Sequence, residues 1–135
     1  NKGITIESAR ESMRNFTEAG IMTHAYLMYG FPTETAQETV DSLEVVRDLF
    51  ANGWIQSAFW HRYAMTMHSP SGECPESVGA KHVPIPAAPF ANNEIAFTTP
   101  NEIDLEFYGK GLNLATYNYM QGAGYDVPVK KWFKR

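Results

Sequence analysis

From Ile21 to Tyr29 the chain is a nearly continuous run of apolar and aromatic residues, and it breaks abruptly at Gly30-Phe31-Pro32-Thr33. The run lacks a clean polar–apolar alternation. That predicts a strand buried on both faces, as in a parallel sheet. Parallel strands need a crossover, and one follows at once. Thr35 with Glu38 three positions on has the capping-box pattern. Val40, Leu43, Val46 and Phe50 then form an apolar stripe at helical spacing, and Gly53 closes the helix. Ile55 to Met65 reads as the second strand, rich in aromatic residues (Phe59, Trp60, Tyr63). The two strands are expected to be parallel neighbours, joined by a right-handed crossover through that helix.

Upstream, Ile6, Ala9, Met13 and Phe16 repeat at helical spacing, with Thr5 as N-cap and Gly20 just past the end. The order helix–strand–helix–strand with short glycine links is the α/β pattern. Beyond it, Met67 to Asn93 carries Pro70, Pro75, Pro84, Pro86 and Pro89 and reads as a long irregular loop. Ile95 to Thr98 reads as a short strand. Thr99-Pro100-Asn101-Glu102 repeats the capping-box pattern, with proline at the first helical position. A helix from Pro100 to Gln121 follows from it, although Gly109 and Gly111 each weaken its middle by about 1 kcal/mol. Tyr125 to Arg135 is expected to be an extended tail anchored by Trp132 and Phe133. The chain thus divides into a strand-bearing part over residues 1–70, the loop over 71–98, and the helix and tail over 99–135.

The 135 residues suffice for one domain with a real core. A net charge of −4 argues against the basic footprint that nucleic acid or an anionic membrane would require. The one basic cluster, Lys130, Lys131, Lys134 and Arg135, reads as a solvated tail. A single cysteine, Cys74, allows no internal disulfide, and a reducing, cytoplasmic setting is the expectation. Its neighbours Glu73 and Glu76 disfavour a thiolate. No apolar run approaches the roughly 18–20 residues of a membrane span. No zinc-ligand spacing is present. His24 reads as a hydrogen-bonded core histidine, and His61 and His68 are too far apart on a strand to pair on a metal.

Parallel α/β proteins bind ligands at the carboxyl ends of their strands. The first end is Tyr29-Gly30-Phe31-Pro32-Thr33. Glycine lets a flat ligand approach the backbone, Phe31 can stack on a ring and Pro32 stiffens the turn. The same residues also suit a plain strand-to-helix turn. At the second end, His61, Arg62 and Tyr63 suit an oxyanion or a proton transfer, with Trp60 beside them. The plainer alternative leaves alternate members solvent-facing, with Arg62 paired to Glu44 or Asp48.

The block "EAGIMTHAYLMYGFPTETAQETVDSLEVVRDLF" resembles the radical S-adenosylmethionine superfamily, in its iron–sulfur oxidoreductase and methylthiotransferase-type branches. The matching residues are Gly20, Ile21, Gly30, Phe31, Pro32, Glu34, Thr35, Thr39, Ser42 and Leu43. Downstream, "FWHRYAMTMHSPSG" is similar to the sixth strand of such proteins and its exit. The resemblance implies an α/β fragment of a partial (β/α)6 TIM-type barrel, followed by a long loop and a C-terminal helix and tail. It also implies S-adenosylmethionine bound on a 4Fe–4S cluster, and leaves cobalamin open. Cofactor contacts then fall on Met28, Gly30, Phe31, Pro32 and Arg62. Trp60, His61 and Tyr63 fall beside the substrate, a small molecule or peptide.

That family binds its cluster through CxxxCxxC, which this chain lacks. The cluster loop is therefore expected upstream of Asn1, no metal ligand is assigned here, and the chain by itself is expected not to catalyse. The exposed sheet edge left by absent strands is expected to favour a homodimer. The alternative is a stand-alone α/β module that binds a small ligand or a protein.

Overall fold

A computed structural model describes residues 3–84, 93–101 and 103–134. Helix α1 spans Ile6–Glu18, strand β1 His24–Tyr29, helix α2 Ala36–Ala51 and strand β2 Ser57–Arg62. The signals that placed these elements act as read. Thr5 caps α1 by accepting from the Ser8 amide. Thr35 and Glu38 form the capping box of α2. Gly20 and Gly53 follow the two helices with φ of 76° and 71°, where a side chain would strain the backbone.

β1 and β2 are parallel and adjacent, in register from His24 opposite Ser57 to Tyr29 opposite Arg62. The chain is thus a mixed α/β protein in which α2 connects two parallel strands. Alternate residues of a strand point to opposite faces. On one face Ala25, Tyr29, Ala58 and Trp60 are buried in the main core with Leu43, Val46, Leu49 and Phe50 of α2. The other face is not buried, which corrects the reading of β1 as covered on both sides. Tyr26, Met28 and Phe59 are 77%, 59% and 53% exposed there. Ile21 and Met22, read as strand, precede β1 and are also exposed.

The proline-bearing loop is partly regular, against expectation. It holds a one-turn helix α3 (Pro70–Glu73), a 3-10 turn (Pro75–Val78) and strand β3 (Lys81–His82). β3 pairs antiparallel with β4 (Phe97–Thr98). Met65, Ala80 and Ile95 form a small second core, with Tyr63, Val78 and Phe97 packed on it. Pro70 serves as the first residue of α3 behind the Ser69 cap, so its missing N–H costs no hydrogen bond. Of the remaining prolines, Pro86 and Pro89 lie outside the described residues.

Helix α4 runs from Leu105 to Met120, five residues later in its start than the capping pattern at Thr99 suggests. The cap is Asp104, whose carboxylate accepts from the Phe107 amide at 2.9 Å, while the Thr99 hydroxyl donates to the Asn101 carbonyl. The glycines that weaken α4 in isolation are required by its packing. A Cβ on Gly109 would lie 2.3 Å from Tyr29 Oη, and one on Gly111 would lie 2.5 Å from the Phe133 ring. The tail folds back in a 3-10 turn over Val129–Trp132 and is not extended. Trp132 and Phe133 pack against the main core as expected.

Candidate functional site

Both strands of the parallel pair end at the same level, because the Tyr63 amide donates to the Tyr29 carbonyl at 2.8 Å. Beyond that bond lies an open cleft of about 970 Å³. Gly30, Phe31, Pro32 and Glu34 line it from the first strand end, and Arg62, Tyr63 and Ala64 from the second. Residues 94–99, Asn101 and residues 103–105 supply the opposite side, including Phe97 and Asp104.

The first strand end is shaped by a carboxylate. Glu34 Oε2 accepts from the Gly30 and Phe31 amides at 2.9 and 3.3 Å. Its Oε1 accepts from the Thr39 hydroxyl at 2.6 Å, and Thr39 is buried. Gly30 has φ 81° and lies under Leu105. A Cβ there would approach the Leu105 side chain to 3.0 Å. Positive φ and crowding together make glycine the residue that fits. Pro32 is buried in the turn, and Phe31 stands at its rim.

The rings of Phe31 and Tyr63 meet edge-to-face at 4.9 Å, and those of Tyr63 and Phe97 at 5.9 Å. Such pairs stabilise by about 0.5–1.5 kcal/mol beyond the area they bury. The Tyr63 hydroxyl is hydrogen-bonded to that of Ser71 at 2.6 Å, which ties the cleft to α3. Arg62 is exposed at the cleft and has no ion pair among the described residues. The alternative partners are engaged elsewhere. Glu44 pairs with Arg47, and Asp48 pairs with Arg10 at 3.3 Å.

The structure therefore brings together Gly30, Phe31, Pro32, Arg62 and Tyr63 and sets three expected site residues apart. Trp60 is buried in the core, and its indole N–H donates to the Thr116 hydroxyl at 2.8 Å. That places Trp60 in the packing of the core and not in the lining of the cleft. His61 lies on the open face of the sheet, stacked on Tyr26 at 5.3 Å and against Phe59 at 4.8 Å. Met28 is exposed on that face too, and it borders, with Leu27 and Trp60, a second groove of about 550 Å³ formed by α1 and α2 on the helix side. Position along the strand explains the separation. Met28, Trp60 and His61 lie inside β1 and β2, whereas Arg62 is the last residue of β2 and Gly30 and Tyr63 lie just past the strand ends. Alternation then sends Trp60 to the covered face and Met28 and His61 to the open one. His24, read as a core histidine, is exposed, with Nδ1 2.6 Å from the Ser57 hydroxyl.

Sequence reasoning assigned no role to Glu34, Phe97 or Asp104. Glu34 left one usable signal: a carboxylate one residue ahead of a capping threonine and four after the turn glycine. Phe97 and Asp104 reach the cleft through long-range folding, which no local pattern records. Among the described residues no three His, Cys, Asp or Glu side chains converge as a metal site. Cys74 is exposed and free. No protein-family model, curated protein or solved structure matches the chain.

Proposed function

We propose that the chain forms one wall of a small-molecule cavity at the carboxyl ends of a parallel α/β barrel, of the kind found in radical S-adenosylmethionine enzymes. One observation carries the reading. The residues that held the family resemblance at the strand ends, Gly30, Phe31 and Pro32, line a single cleft with Arg62 and Tyr63. The helices on one face of the sheet and the open opposite face also suit a barrel wall, whose inner face looks into the lumen.

The cleft offers what an adenosyl amino acid needs. Phe31 and Tyr63 provide ring faces and edges, Gly30 allows close approach, and Arg62 provides a fork of donors for a carboxylate. A 4Fe–4S cluster supplies the electron that cleaves S-adenosylmethionine in such enzymes. Cys74 alone is too few thiolates for a Cys-bound cluster, so the residues here do not fit that group and no reaction step is assigned to them.

Calorimetry of the chain with S-adenosylhomocysteine tests the reading. Binding is expected, with a loss of about tenfold or more for Arg62→Lys, because a lysine does not reproduce the two-pronged contact. Undetectable binding by the native chain overturns the assignment. Binding that Arg62→Lys leaves unchanged removes Arg62 from the site.

A further inference from the structure

We infer that Glu34 is a specificity-determining residue of the cleft: its carboxylate fills the amide pair at the first strand end and so directs a ligand's oxyanion to Arg62. The inference rests on the cleft being a ligand cavity, and it sets the class and orientation of what enters.

Successive backbone N–H groups at a turn make a concavity that attracts anions. Gly30 and Phe31 form such a pair at the mouth of the cleft, the place where a phosphate or carboxylate would otherwise seat. Here the pair already donates to Glu34 Oε2. The carboxylate is held from its other side by the buried Thr39 hydroxyl, which fixes its position. The Phe31 carbonyl is also engaged, by the Glu34 amide at 2.8 Å. An incoming anion would meet a fixed negative charge at this end instead of free donors. Glu94 and Asp104 on the opposite side add two further carboxylates, that of Asp104 engaged at the cap of α4.

Arg62 lies at the other strand end. Its guanidinium is the group at the cleft that suits an oxyanion. The ligand class that follows has an oxyanion at one end and a neutral or cationic, hydrogen-bond-donating group at the other. A ligand with oxyanions at both ends is excluded by repulsion from Glu34.

Inorganic phosphate, acetate and amide NMR spectra of the full chain test this. In the native chain, phosphate is expected to move the Arg62 Nε–H resonance and to leave the Gly30 and Phe31 amides in place. In Glu34→Ala the freed amides are expected to exchange with solvent roughly tenfold faster or more. Added acetate is expected to restore their protection, a rescue that lost packing would not show. Glu34→Gln, which keeps the shape and one acceptor, is expected to show intermediate exchange and a weaker acetate response. It substitutes for the alanine variant if that one does not fold.

Phosphate shifts at Gly30 and Phe31 in the native chain overturn the inference. So does a Glu34 variant whose two amides ignore acetate. An unmoved Arg62 resonance overturns the assignment of the oxyanion to that residue. Absence of S-adenosylhomocysteine binding with this anion pattern intact discards the cofactor reading and leaves the Glu34 inference standing.

Discussion

The two faces of the parallel pair β1–β2 come from the same twelve strand residues and differ in almost every physical respect. On the helix side Ala25 and Ala58 are small, letting α2 and α4 sit close, while Tyr29 and Trp60 fill the remaining space and meet edge-to-face at 6.5 Å. On the other side His24, Tyr26, Phe59 and His61 form a chain of ring contacts at 4.8 to 5.3 Å with one flank in solvent. The lesson is that hydrophobicity along a strand does not say which face is buried. A face becomes core when another layer fits it, and the fit here is set by small residues opposite large ones.

The first way to break the comparison is to remove one large aromatic side chain from each face. Trp60→Ala should destabilise the chain by about 3–5 kcal/mol, because it empties core volume and strands the Thr116 hydroxyl. Phe59→Ala, one residue away, should cost no more than about 0.5–1 kcal/mol, since its ring is half exposed. Urea midpoints of the two variants measure this directly. Equal losses would mean that the open face is covered in solution, by a second copy for example, and sedimentation would then report it.

A second variant sets helix propensity against packing. In an isolated helix Gly109→Ala is worth about 1 kcal/mol in favour of alanine. In this fold the new Cβ would lie 2.3 Å from Tyr29 Oη, so a net loss of about 1–3 kcal/mol is expected. Adding Tyr29→Phe removes the nearest atom, and the double variant should recover part of that loss. A stabilising Gly109→Ala would show that α4 can lift off the covered face at little cost.

How much of this was legible depends on range. The caps Thr5 and Thr35, the closing glycines and the parallel pairing were readable because they follow from local chemistry and a crossover rule. The exposed face was not, since Tyr26 and Met28 read as buried until one knows that α2 and α4 both lie on the other side. Gly109 was read for what it costs the helix and not for the Tyr29 contact that demands it. The start of α4 was misplaced because Asp104, and not Thr99, supplies the cap. At the cleft, Gly30, Phe31, Pro32, Arg62 and Tyr63 were legible as strand ends, while Phe97 was legible only as part of a short strand, with nothing local to place it at the cleft.

The smallest effect concerns the turn that carries the covered face into α2, and it sharpens the comparison by acting on one side of the sheet alone. Glu38 accepts from the Thr35 amide at 2.7 Å and from its hydroxyl at 2.8 Å. The amide bond, then the hydroxyl bond, holds the Glu38 carboxyl below its ordinary value of 4.5. A carboxyl whose folded value is depressed stabilises the fold above its unfolded value, and that contribution disappears as pH falls through the folded value. Glu38 is fully exposed, so the contribution is small and screened by salt. Glu38→Gln should therefore melt slightly below the native chain near pH 6, and the gap should close as the pH is lowered past the folded value. Indole fluorescence from Trp54, Trp60 and Trp132, all packed in or on the main core, follows the covered face during the same titration, and the His61 ring protons follow the open one. The Glu38 substitution should move the first melting curve and leave the local environment of His61 in the folded chain unchanged. A gap that persists unchanged into acid would mean that Glu38 acts through side-chain shape and not through the charge of its capping box.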